Sequence, residues 1–229
     1  MIKRAVITLL FTGVAFAVLV MKPTPQIEET VVVEHEPEEE ESPETGISSY
    51  DSIMQTVEEE SGIDWRLLSA IAYIESRFHD DVVSPDGAMG LMQIQPVTAR
   101  HFGISADALL LPHNNIRVAA FHLREIEQIM KLPAGMSEHD RMSIVLACYN
   151  SGIGHVNDAR RLAREFGEDM NSWQSVSRYL TLKSNPEYYE LDVVRAGRFN
   201  SGLHTSTYVT KVMNRYEYYC KLTDTTAMR

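Results

Sequence analysis

An all-α (mainly α) fold built as a single globular domain is what this sequence predicts, on three observations. Apolar residues recur at three- and four-residue spacing in one segment after another from Tyr50 onward. No hairpin dipeptide sits between two alternating apolar runs, so strand signals are poor. A hydrophobic fraction of 44% is enough to form a core over the 229 residues.

Each element has its own signal. Ser61-Gly62-Ile63-Asp64 reads as a turn that ends in a helix N-cap. The helix it opens is expected over 65–78, with Leu67, Leu68, Ile71, Ile74 and Phe78 on one face. Pro96 starts a short helix over 96–102, since its missing N–H costs nothing in a first turn. A longer helix is expected over 115–130, where Ile116, Ala119, Leu123, Ile126 and Met130 are in phase. A short apolar helix over 142–149 ends at Asn150-Ser151-Gly152, and an amphipathic one follows over 156–166 with Arg160, Arg161 and Arg164 on its basic face. Helices over 173–180 and 206–222 complete the set, and 223–229 remain as a tail.

The first 49 residues read differently. Lys3 and Arg4 precede an apolar run over 5–21. A helix of that length reaches about 25 Å, the short end of what spans a bilayer. It is a retained membrane anchor or a cleaved signal peptide with Ala15-Phe16-Ala17 as its small-residue site. The apolar residues that continue to Met21 favour the anchor, and both readings export the rest of the chain. Residues 22–49 hold four prolines and the run Glu38 to Glu41, and read as an extended, disordered acidic linker. Of the formal charge of −11, residues 1–49 carry −6, so the domain over 50–222 is only mildly acidic. It has no basic stripe for nucleic acid. Its cysteines, Cys148 and Cys220, are too few for a disulfide framework and can be one bridge or two thiols. No spacing fits a metal site, and no cofactor is expected.

The chemistry centres on Glu75. It follows Ile71 by four positions, so it lies on the helix face expected to enter the core. A carboxyl on an apolar face resists ionisation, as a general acid near neutral pH requires. On this helix alone the commoner reading is structural: a buried acid paired with an arginine such as Arg77, or an exposed one past an early helix end. Two further segments favour chemistry. In 84–93, a turn with Gly87 and Gly90 leads to Leu91, Met92 and Gln93, and could line a groove for a polar polymer. Farther on, Tyr149 and Asn150 set an aromatic ring and an amide at a helix end, groups that stack on and hydrogen-bond to sugars.

These segments resemble the signature of the soluble lytic transglycosylase family, related to goose-type lysozyme. Glu75-Ser76, Ser84, Gly90-Leu91-Met92-Gln93 and Ala147-Cys148-Tyr149-Asn150 occur in the family's order. Asn115-Ile116 and Tyr208-Val209 match more loosely, and the segment from Gly154 to Arg160 is similar to the family's membrane-bound F branch. The resemblance implies a lysozyme-like fold and cleavage of the β-1,4 bond between N-acetylmuramic acid and N-acetylglucosamine in peptidoglycan glycan strands. Glu75 would act as general acid and then base, giving a 1,6-anhydromuramoyl product without water. It further implies that Ser84 orients Glu75 by a hydrogen bond, that Tyr149 stands near the developing oxocarbenium charge, and that Met92, Gln93 and Asn150 line the groove. The expected partners are glycan strands and, through the N-terminal segment, a membrane. The expected state is a monomer in the cell envelope.

The sequence departs from the family at Gln95, where some relatives have methionine, at His204, where many have glutamate, and at Cys148, in place of alanine. Three rival readings stand beside the first. A hydrolase would need a second carboxylate to activate water, for which Asp80, Asp81 and Asp86 are candidates. A non-catalytic peptidoglycan-binding protein would need none. A cysteine peptidase would use Cys148 with His155.

Overall fold

The computed structural model describes residues 46–227. Among them are ten helices: α1 (Asp51–Ser61), α2 (Trp65–Ser76), α3 (Pro96–His101), α4 (Ala106–Leu109), α5 (Pro112–Met130), α6 (Glu138–Ser151), α7 (Ile153–Glu165), α8 (Trp173–Leu182), α9 (Pro186–Tyr189) and α10 (Gly202–Ala227). The β content is two isolated antiparallel bridges, Val83 with Met89 and Met89 with Ile94. The all-α expectation therefore holds. Among the described residues no helix is long and apolar enough to cross a membrane. The apolar run over 5–21 and most of the acidic stretch lie outside them.

The expected elements are present, and their ends shift for local reasons. Asp64 caps α2 as expected, its carboxylate accepting the Arg66 N–H at 2.8 Å. The helix stops at Ser76 rather than Phe78 because Arg77 (φ 55°) and Phe78 (φ 64°) turn into the left-handed region. α5 starts three residues early, with Pro112 in its first turn. α6 starts at Glu138, where the Ser137 hydroxyl accepts the Asp140 N–H at 3.1 Å. α10 starts at Gly202, where a Cβ would come within 2.2 Å of the Leu180 carbonyl oxygen, so only glycine lets α10 cross the end of α8. The expected tail is helical as far as Ala227. At the other end the expected linker overlaps the fold. Ile47 is buried, and the Asp51 carboxylate accepts the N–H groups of Ile47 and Ser48 at 2.7 and 2.9 Å.

Helix α2 runs through the middle, with Leu68 and Ile71 fully buried. α10 packs along α2, α6 and α8, and α1 lies against α2 and α5. Side chains from the last turn of α2, the last turn of α6 and the first turns of α10 thus converge.

Candidate active site

Glu75 sits in the last turn of α2. Burial pushes its carboxyl up to about 7, and the neighbouring Tyr208 hydroxyl moderates the rise. Among the described residues it pairs with no cation. Arg77, the partner that a structural role would need, is exposed and lies over the Tyr73 ring, 4.2 Å from its centroid. No second carboxylate of the described residues contributes to the shift of Glu75. Asp80 instead accepts the Tyr50 hydroxyl at 3.1 Å, while Asp81 and Asp86 are exposed.

Two tyrosines surround the carboxyl. The Tyr149 hydroxyl donates to the Met92 carbonyl at 2.7 Å. Burial, then the charge of Glu75, push that phenol well above its usual range. Tyr208, a looser match to the family signature, is the residue to which sequence reasoning gave no role. Its hydroxyl is buried and lies beside Glu75, yet falls short of a full hydrogen bond to any group. A signal existed: Tyr208 starts the apolar stripe of α10 with Val209 and Val212, and a tyrosine hydroxyl carried into a core needs a partner.

The segment from Val82 to Gln95 forms the wall beside Glu75, and here several expectations are corrected. Ser84 is not joined to Glu75. Its hydroxyl accepts the Ala88 N–H at 2.9 Å and its N–H donates to the Ala88 carbonyl at 2.8 Å, closing the turn through Asp86-Gly87. Met92 does not line an open groove, being fully buried; its contribution is the carbonyl that holds Tyr149. Gln93 is partly exposed, but its amide nitrogen is tied to Gly90 and Val82 carbonyls at 2.9 and 3.2 Å, leaving its oxygen free. Asn150 accepts the Thr205 hydroxyl at 2.9 Å and keeps its nitrogen free. Gln95 and His204 are exposed.

Asn115 anchors this wall. It is buried, accepts the Met92 N–H at 2.7 Å and donates to the Met89 and Leu109 carbonyls at 2.9 and 3.0 Å. Gly90 (φ 73°) makes room for it: a Cβ there would be 2.5 Å from the Asn115 amide nitrogen. Arg77, Phe78 and Gln93 all take positive φ around Glu75. Each costs roughly 1–2 kcal/mol for a residue with a Cβ, a strain typical of functional sites.

Both cysteines are free thiols. Burial pushes the Cys148 thiol up to about 12, and His155 is engaged with Lys183 at 3.0 Å, so the peptidase pair does not form. Among the described residues no cluster of His, Cys, Asp or Glu side chains is arranged to hold a metal ion.

The chain is similar to known proteins over most of the described residues. The chain is 35% identical over 181 residues to membrane-bound lytic murein transglycosylase F of Marinobacter nauticus, covering 79% of this chain and 35% of that protein. It is 37% identical over 168 residues to the protein of the same name from Alcanivorax borkumensis, covering 73% and 34%. The chain thus spans about a third of the length of the relatives it matches. An X-ray structure of an inactive mutant of lytic transglycosylase Slt from Pseudomonas aeruginosa superposes on 76% of this chain and 24% of that one, with a TM-score of 0.51 at 22% identity, and so shares its fold. The model of the transglycosylase SLT domain matches residues 52–171, more than half of the chain, and spans Glu75, the wall and Tyr149. The chain belongs to the transglycosylase SLT domain family.

Proposed function

We propose that this domain is a peptidoglycan lytic transglycosylase. It cleaves the β-1,4 bond between N-acetylmuramic acid and N-acetylglucosamine and leaves a 1,6-anhydromuramoyl end. The observation that carries the reading is Glu75: a carboxyl raised to about 7, with no cation and no second carboxylate beside it among the described residues. Such a group is protonated often enough near neutral pH to act as an acid and, once ionised, is basic enough to take a proton back. It gives its proton to the bridging oxygen as the bond breaks. It then removes the proton of the muramoyl O6 hydroxyl as that oxygen attacks C1. The lone carboxylate favours this internal attack over hydrolysis, which needs a second acid to activate water.

Around it, the Tyr149 oxygen, fixed on the Met92 carbonyl, faces the developing positive charge. The Gln93 amide oxygen and the Asn150 amide nitrogen, each free of partners among the described residues, meet sugar hydroxyl and acetamido groups. Ser84 acts through the turn it closes rather than on Glu75 itself. In this reading the domain works in the cell envelope as a monomer, tethered by the N-terminal apolar segment across an acidic linker.

Digestion of purified sacculi tests the proposal. Fragments should end in anhydro sugars, and Glu75→Gln should lower turnover by roughly 10²–10⁴-fold, the contribution of general acid–base catalysis. Products heavier by one water would replace the transglycosylase with a hydrolase. An unchanged rate for Glu75→Gln would remove Glu75 from the chemistry.

A further inference from the structure

The face of α2 turned away from Glu75 carries a second cluster. Tyr73 has two guanidinium groups on its ring, Arg77 at 4.2 Å and Arg215 of α10 at 3.8 Å from the centroid. Arg215 also lies 5.7 Å from the Tyr218 ring, and Phe78 packs 5.8 Å from Tyr73. Lys211, exposed, stands one turn before Arg215 on α10. Stacking holds a guanidinium by its flat face and leaves its edge N–H donors available. Arg215, which also lies 5.6 Å from the Tyr219 ring, shares part of its edge with the Tyr219 hydroxyl.

Those donors lack acids among the described residues. Neither Arg77 nor Arg215 has a carboxylate within ion-pair distance there, unlike Arg66, Arg117, Arg124, Arg141, Arg161 and Arg178. Arg100, Arg160, Arg164, Arg195 and Arg198 also have none there, but Arg77 and Arg215 lie over a common ring. Asp80, three residues past Arg77, is taken up by Tyr50. Glu217 lies two residues past Arg215, on the other side of α10. Two like charges fixed at one ring repel each other, and a bound anion relieves that repulsion. The net charge of −11 repels anions at long range, so an anion held here must be held by local geometry.

We propose that Arg77 and Arg215, oriented by Tyr73, form a binding site for an acidic peptide bearing more than one carboxylate. On the catalytic reading above, on which this rests, that peptide is the one attached to the peptidoglycan strand lying against Glu75. The fork of each guanidinium suits a planar carboxylate in bidentate contact. A lipid surface fits less well, because it calls for a larger cluster of basic residues than these three.

Calorimetric titration of the full chain carrying Glu75→Gln, which cannot cut what it binds, tests the site. The probes are glycan strands with their peptides, the same strands stripped of peptide by an amidase, and vesicles containing phosphatidylglycerol. Adding Arg77→Gln and Arg215→Gln should weaken binding to the peptide-bearing strands about tenfold, the effect of losing a charge-assisted contact, with binding to stripped strands as in the parent. If the double change lowers the melting temperature, Arg77→Gln alone, at an exposed position, should show the same selectivity at smaller amplitude. Equal weakening on both strands, no weakening on either, or a loss confined to the vesicles overturns the site. Cleavage of sacculi by the unaltered chain is scored separately, so a failure of the catalytic reading is distinguishable from a failure of the peptide site.

Discussion

Asp158 on α7 and Glu75 on α2 both have carboxyls withdrawn from water, and their surroundings differ in the supply of donors. Asp158 accepts from Lys183 at 2.6 Å, from Arg161, and from the backbone N–H groups of Arg195 and Ala196, both at 2.8 Å. Lys183, itself fully buried, also meets the Nδ1 atom of His155, whose ring stacks on Phe199 at 4.3 Å. Burial alone would push the Asp158 carboxyl up, but Lys183 and the two backbone donors outweigh it and hold the group below its usual range. Glu75 has one hydroxyl beside it and is pushed up to about 7. Depth of burial therefore does not decide the fate of a carboxyl here. A carboxyl saturated with donors is a fixed anion that ties α7, α8 and the segment before α10 together. A carboxyl starved of donors can hold a proton and release it.

The largest expected effect breaks the saturated member. Asp158→Ala leaves the Lys183 ammonium buried without its counter-charge, and should cost about 3–5 kcal/mol in urea unfolding at pH 7. Replacing Lys183 by methionine in the same chain should recover much of that loss, because an apolar pair of similar size is often neutral. A loss for Asp158→Ala below about 1 kcal/mol, within the range of an exposed ion pair, would mean that the network is not the strut described.

The starved member should respond to pH with the opposite sign. The Glu75 carboxyl takes its proton near 7 in the folded chain and near 4.5 in the unfolded one. Between those values the unfolded chain is ionised while the folded one holds a proton, so stability falls as pH rises. The penalty is absent below the lower value, grows through the window and is complete above the upper one. Its ceiling is on the order of 3 kcal/mol, less whatever solvent screens. Glu75→Gln, which cannot ionise, should therefore be more stable than the parent by roughly 2 kcal/mol at pH 8 and equal to it at pH 4. Asp158 behaves in reverse: its contribution is present above its unfolded value and disappears as pH falls through its depressed folded one. A difference between Glu75→Gln and its parent that stays flat from pH 4 to pH 8 would contradict the raised Glu75.

Local signals made part of this comparison legible in the sequence. The Asp64 cap, the phase of Glu75 with Ile71 and the proline that opens α3 are short-range features, and the structure carries each of them. The left-handed pair Arg77 and Phe78 gave no warning, because neither residue type favours that conformation. Asp86-Gly87 is a hairpin dipeptide, but the pairing it turns is a single bridge, Val83 with Met89, too short to alternate. The Asp158 network joins residues 25 and more positions apart, so helical periodicity could not reveal it. Met92 was assigned to the groove by its motif, whereas the Asn115 clamp turns its side chain inward and leaves its carbonyl to Tyr149.

The smallest effect sharpens the starved side. Among the described residues the Tyr208 hydroxyl is the only neighbour that lowers the Glu75 carboxyl, and it has no full hydrogen bond of its own there. Tyr208→Phe should leave stability within about 0.5 kcal/mol of the parent, because it removes a buried hydroxyl that is poorly satisfied. It should lower kcat about tenfold, the worth of one hydrogen bond to a charged group that forms as Glu75 gives up its proton. It should also move the alkaline limb of the kcat/KM profile upward from about 7, since Glu75 loses its last donor. Tyr149→Phe gives the contrast. It breaks the 2.7 Å bond to the Met92 carbonyl and removes the oxygen that faces the developing charge, so its loss should appear in stability and in kcat, with the limb shifted little. A limb that stays in place in Tyr208→Phe would show that the hydroxyl does not serve the carboxyl, and that burial alone separates Glu75 from Asp158.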